Sequence, residues 1–264
     1  MKSVSHKTSR RFLVLLCVIA MLATSAALAC HAQNTSTQRG PSDVVRDFYK
    51  AMREHRFRDA FALTIYKPAV EGLNEEEMEL LRPGFEEKAA EIPAAVDIMG
   101  EQISGNNATV FVKVPVNDST PQVTSQPMNL ISSGGSWIIG TEADQAEVKK
   151  AGRRYFLDAL VTEHEGDVEE LLKRLATWEG LYAAQHGGTY ADFPALIQAG
   201  MLSGDAIDPK LSGYTFRITV SKDGKSFIAT AEPTRHGKTG KLSFWMDQTG
   251  LIKSGDAGGK PFKP

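Results

Sequence analysis

Cysteine is almost missing from this chain of 264 residues, which carries only Cys17 and Cys30. Cys17 lies inside an apolar N-terminal run. A chain cleaved beyond that run keeps Cys30 alone and can form no internal disulfide, even in an oxidising compartment. An excess of charge of one sign is also missing. Thirty Lys and Arg stand against 32 Asp and Glu, a net charge of −2, which excludes the basic profile of a nonspecific nucleic-acid binder. The motifs of the common chemistries fail one after another. Gly134 and Ser136 are followed by Trp137 and Ile138, so there is no nucleophile elbow. His236-Gly237-Lys238-Thr239 ends like a phosphate loop, but Glu232 stands where the first glycine is required and the flanks read strand to strand. His164-Glu165 lacks a second histidine at zincin spacing, because Val168 occupies that position. The other histidines beyond residue 29 (His31, His55, His186 and His236) are scattered, and His186 beside Gly187 suits a helix C-terminus. Glu75-Glu76-Glu77 and Glu86-Glu87 are sequence neighbours that do not converge on one point, so they read as helix-end and surface charges. No catalytic residue, metal or cofactor is expected.

At the N-terminus there is an address. Lys2, Lys7, Arg10 and Arg11 precede an apolar run over residues 12–29, which ends Ala27-Leu28-Ala29-Cys30. Residues 1–29 read as a signal peptide. Their removal takes four basic and no acidic residues, leaving 26 against 32, a net charge of about −6. Ala29 before Cys30 fits a lipobox, and Ala27 fits it less well, so Cys30 is the expected lipid-attachment residue of a bacterial lipoprotein. Two rival readings are ordinary cleavage after Ala29 or Ala32 and an uncleaved anchor, for which 18 apolar residues barely suffice. Each reading places the chain in the cell envelope, facing the periplasm or the exterior. Residues 30–40 are polar and predict a disordered tether.

The length suggests one or two domains, and 42% apolar residues suffice for a core in each half. Over residues 41–141, helices come first and strands follow, which predicts an α+β domain. Ser42 is placed to cap a helix with Val44, Val45, Phe48, Tyr49 and Met52 on one face. Asn74 should cap another, which Pro83 is expected to interrupt. Val110, Val112 and Val114 alternate with Phe111 and Lys113, a polar loop is expected over residues 117–126, and Trp137 opens a last short strand. Residues 142–166 read as a helical connector, or as the first half of a spine broken at Gly166. Asp167 then caps a spine helix, with Val168, Leu171, Leu172, Leu175, Trp178, Leu181 and Tyr182 on one face and Glu179 mostly on the other. Period-2 runs at Tyr214, Phe216, Ile218, Val220 and at Leu242, Phe244, Met246 predict an antiparallel meander up to residue 255. Residues 256–264 should fray.

Two stretches resemble known families. PSDVVRDFYKAMREHRFRDAFAL (residues 41–63) and the closing Gly-Ser-Trp-Ile-Ile strand resemble NTF2-like domains of the DUF4878 type. That resemblance implies helices on a bent antiparallel sheet, often around a pocket. The aromatics Tyr49, Phe61, Phe111 and Trp137 would then be candidate pocket lining, against the alternative that they fill the core. YAAQHGGTYADFPALIQAGML (residues 182–202), SGYTFRITV (residues 212–220) and TGKLSFWMDQTGLIK (residues 239–253) resemble the globular domain of type IV pilin-like and pseudopilin-like proteins. The segment before Asp167 has no apolar assembly helix, so only the fold is implied. The expected function is noncatalytic: an exported, lipid-anchored envelope protein that binds a ligand or protein partner. A small-molecule enzyme using the NTF2-like pocket and a minor component of a pilus or secretion machine are the alternatives.

Overall fold

The computed structural model describes residues 39–93, 96–117 and 120–262. The apolar run, Cys30 and most of the tether lie outside the described residues. From Arg39 onward, α1 (Pro41–Arg53), α2 (Phe57–Ala62), α3 (Lys67–Glu71) and α4 (Glu75–Ala90) precede β1 (Asp97–Ser104), β2 (Asn107–Asn117), β3 (Thr120–Ser133) and β4 (Ser136–Ile139). There follow α5 (Glu142–Ala151), α6 (Arg154–Gln185), α7 (Phe193–Gln198), a 3₁₀ turn (Gly204–Ile207) and α8 (Pro209–Ser212). The last elements are β5 (Tyr214–Val220), β6 (Phe227–Pro233), β7 (Ser243–Asp247) and β8 (Ile252–Gly255). The strands make two four-stranded antiparallel meanders in chain order, so the class is α+β, as the order of patterns predicts.

Helix α1 lays Val44 and Val45 on Val110, Val112, Met128 and Leu130 of the first sheet. Val45, Val110 and Val112 are fully buried, each contributing roughly 1.5–3 kcal/mol. Glu101 of β1 closes the helix start by accepting from Ser42 N (2.9 Å) and Ser42 Oγ (2.5 Å). Ser42, expected as the cap, is therefore inside the first turn, and Gly40 is the cap. The helix ends with His55 in the left-handed region (φ 56°). Arg56 N donates to Ala51 O (2.9 Å) across it, the Schellman arrangement in which glycine is usual. His55→Gly should therefore raise stability by about 0.5–1 kcal/mol. A urea midpoint that falls instead would mean that the stack of His55 on Phe57 (5.6 Å) outweighs the backbone cost.

Asn74 caps α4 as expected, with Glu77 N donating to its Oδ1 (2.9 Å) and Asn74 N donating back to Glu77 (3.2 Å). Pro83 does not interrupt the helix. Met78 and Leu81 before it and Phe85 and Ala89 after it enter one core, and that packing offsets the lost backbone bond. The loop expected over residues 117–126 is mostly strand, because the β2–β3 pairing runs on to Asn117 and Thr120.

The spine also departs from expectation. Helix α6 is continuous for 32 residues, about 48 Å, and Gly166 and Asp167 lie inside it. The break falls at Gly152 (φ 53°), between α5 and α6. Phe156 and Leu157 pack in the first core, and Val168, Leu171, Leu172 and Leu175 in the second. Burial on both sides outweighs the roughly 1 kcal/mol that a mid-helix glycine costs. The expected boundary between a connector ending at residue 166 and a domain starting at residue 167 therefore cuts through one helix. Glu179 faces inward, fully buried, one helical turn from Leu175 and one from Ala183, while Leu181 is half exposed.

The polar first half of α6 holds the loop before β7. Arg154 Nη1 donates to Gly237 O (2.8 Å), His164 Nδ1 to Thr239 O (2.9 Å), and Glu165 Oε1 accepts from Lys241 N (2.7 Å) and Leu242 N (3.0 Å). Burial pushes the His164 imidazole below its ordinary value, so the neutral ring with its proton on Nδ1 is the form that fits. Arg235 and Lys238 reach Glu76 of α4 (2.7 and 3.1 Å). The segment that ends like a phosphate loop is thus a tie between the two halves.

Candidate functional site

The structure does not bring the four candidate aromatics to one place. Tyr49 and Trp137 pack against the α1–sheet core. Phe61 belongs to the other core of the first half, 4.7 Å from Phe85 and 5.3 Å from Phe156 between ring centres. Phe111 alternates with the buried Val110 and Val112, so the pleat turns it to the opposite face of the sheet. Neither of the two described depressions is lined by any of the four. Cys30, the expected lipid-attachment residue, lies outside the described residues.

The larger depression, about 280 Å³, lies at the α1–α2 turn and includes His55, Arg56, Arg58, Asp59, Glu75 and Arg82. Its arginines are spoken for. Arg56 pairs with Glu54 (2.7 Å) and Asp59 (2.5 Å), Arg58 with Glu75 (3.0 Å), and Arg82 with Glu79 (2.6 Å). This is a charge-balanced surface. Among the described residues no three His, Cys, Asp or Glu side chains are grouped to hold a metal ion.

A different surface is built by the second sheet. Its inner face carries Tyr214, Phe227, Ala229, Ala231, Phe244 and Met246 against α6. The alternate residues point outward. Cross-strand pairing places Arg217, Thr230, Trp245 and Lys253 in one row across all four strands. Lys253 Nζ lies 5.4 Å from the centre of the Trp245 ring, a contact of the cation–π kind. The neighbouring row holds Thr215 opposite Glu232 and Ser243 opposite Gly255. Glu232 follows Ala231 and Ser243 precedes Phe244, the pair that ends the β6–β7 ladder.

Two atoms of that second row lack partners. Glu232 is 4% exposed and Ser243 0%. Arg217 donates to Glu232 Oε2, but Glu232 Oε1 and Ser243 Oγ are buried with no hydrogen bond. Buried polar atoms in native folds nearly always have partners. The chain after β8 roofs this end. The Phe262 ring sits over Gly255, 2.6 Å from where a Cβ would stand, and Asp256 accepts from His236 Nε2 (2.8 Å). The tail expected to fray is thus packed through Phe262. The arrangement offers donors and acceptors around a half-buried indole.

Sequence reasoning found the strands but missed this row. The available signal was Arg217 and Glu232 on the polar face of adjacent strands, with Trp245 two residues from Ser243 on the next.

No family model matches the chain, and no curated protein matches it. Among solved structures, one described as an NTF2-like transpeptidase from Campylobacter jejuni is similar at 16% identity, over 38% of this chain and 97% of that one, with a TM-score of 0.27. At that score the likeness carries no residue role to this chain.

Proposed function

We propose that this chain is an exported, noncatalytic binding protein of the bacterial cell envelope, held to a membrane by lipid on Cys30. Its partner is a ligand or protein that reaches the folded part from Arg39 onward. An NTF2-like first half and a pilin-like second half belong to the same reading. The observation that carries the choice of binding over catalysis is the filled interior of the first half. Val45, Val110 and Val112, all at 0% exposure, occupy the space between α1 and the sheet where the resemblance implies a pocket. A pilus role is less well supported, because Arg154, His164 and Glu165 are engaged in holding the loop before β7. Among the described residues no helix is long and apolar enough to cross a membrane.

The test is fractionation of a Gram-negative host that expresses the full chain. Wild type should sediment with membranes and resist high salt, since acyl chains anchor by burial and not by charge. Cys30→Ser should move to the soluble envelope fraction or accumulate uncleaved. Equal membrane association of both, with the signal removed, is the outcome that sinks the lipid anchor.

A further inference from the structure

We propose that the outer face of the second sheet binds a neutral oligosaccharide, with Trp245 as its stacking surface and Arg217, Glu232 and Ser243 as its hydrogen-bonding rim. The proposal rests on the binding reading above and names its ligand class. Trp245 stands mid-row between Thr230 and Lys253, whose exposed side chain lies over the ring; once that flexible side chain swings aside, the flat indole is the natural complement of the apolar face of a pyranose ring. Glu232 Oε1 and Ser243 Oγ are more than nine-tenths buried and have no hydrogen-bond partner within the protein, although buried polar atoms nearly always have one. A sugar hydroxyl donates to the carboxylate and accepts from the serine, and a pair of adjacent hydroxyls serves both.

Charge decides between ligand classes. Lys253 over the indole and Arg217 at the far end of the same row oppose an ammonium group. Glu232 and Asp247 on the same face oppose a phosphate or carboxylate. A neutral polyol meets both sets with matching donors and acceptors. The tail sets the terms of access. Phe262 lies over Gly255, the cross-strand partner of Ser243, so a sugar reaching Ser243 displaces the ring. Loosening the tail should therefore strengthen binding.

The experiment is isothermal titration of the full exported chain with chitotetraose, cellotetraose and maltotetraose. At least one should bind saturably. Trp245→Ala should weaken it about tenfold, Glu232→Gln about fivefold, and Phe262→Ala should strengthen it about threefold. Circular dichroism checks that each variant is folded, and Trp245→Phe, which keeps a ring, replaces Trp245→Ala if the latter is not. The proposal is overturned if no probe binds wild type or Phe262→Ala, or if binding survives loss of the indole. The membrane fractionation of wild type and Cys30→Ser does not depend on these outcomes. A sugar-blind protein that is still lipidated on Cys30 would refute the ligand class and leave the envelope reading standing.

Discussion

Glu179→Gln should remove most of a pH dependence that wild type shows between pH 4.5 and 8, and Glu179→Ala should lower stability by about 3 kcal/mol. Glu179 is fully buried on the inner face of α6. Its Oε2 accepts from Ala191 N (2.9 Å), and its Oε1 has no partner. Burial, with a smaller contribution from Asp192, raises its pKa from 4.5 to about 7. The folded state therefore holds a proton that the unfolded state has released throughout the window between those values. The stabilisation is fully present below pH 4.5 and is lost as pH rises through 7, an effect of roughly 3 kcal/mol. Glutamine cannot ionise. The wild-type urea midpoint should fall from pH 5 to pH 8 while that of Glu179→Gln stays nearly level, and the two curves should cross. Parallel curves would mean that Glu179 is hydrated. Alanine is costly at every pH, because it leaves the buried Ala191 amide without an acceptor and opens a cavity beside Leu175.

Gly240→Ala should cost about 3 kcal/mol, near the upper end of overpacking effects. A Cβ at Gly240 would lie 1.9 Å from Tyr214 Oη and 2.4 Å from its Cζ. Tyr214 is fully buried, and its hydroxyl donates to Leu242 O (2.9 Å), so the ring has no room to retreat. Tyr214→Phe alone should cost about 1 kcal/mol for the lost bond. In the double variant the nearest clashing atom is gone, and the combined cost should be smaller than the two single costs added. Strict additivity in urea titrations would show that the loop at Gly240 moves freely away from Tyr214.

These two positions mark where the sequence was legible and where it was not. The meander of the second half could be read because each strand keeps its apolar residues at period 2, from Tyr214–Val220 through Ser243–Asp247. Asn74 and Glu77 could be read because a capping box is local. A lone carboxylate is expensive to bury, yet Glu179, four residues on from Leu175, faces inward. Its role depends on Ala191, whose amide comes to it only in the fold. Asp167 with Glu170 imitates a helix start, yet packing on both sides of Gly166 carries the helix through. The division of the four aromatics was partly visible. Phe111 alternates with Val110 and Val112, so it could not share a face with residues packed on those valines. The row from Arg217 to Lys253 required register, which depends on turn geometry and on partners far along the chain.

Presentation of the folded part at a membrane by a lipid on Cys30 is a proposal that mass spectrometry decides. Its most direct test is the mass of the N-terminal peptide of the mature protein, extracted from membranes in detergent and cleaved by protease. The expected peptide begins at Cys30 and carries a diacylglyceryl group on sulfur, with that mass absent from Cys30→Ser. An unmodified peptide that begins after Ala29 or Ala32 would contradict it and make the chain a freely secreted protein.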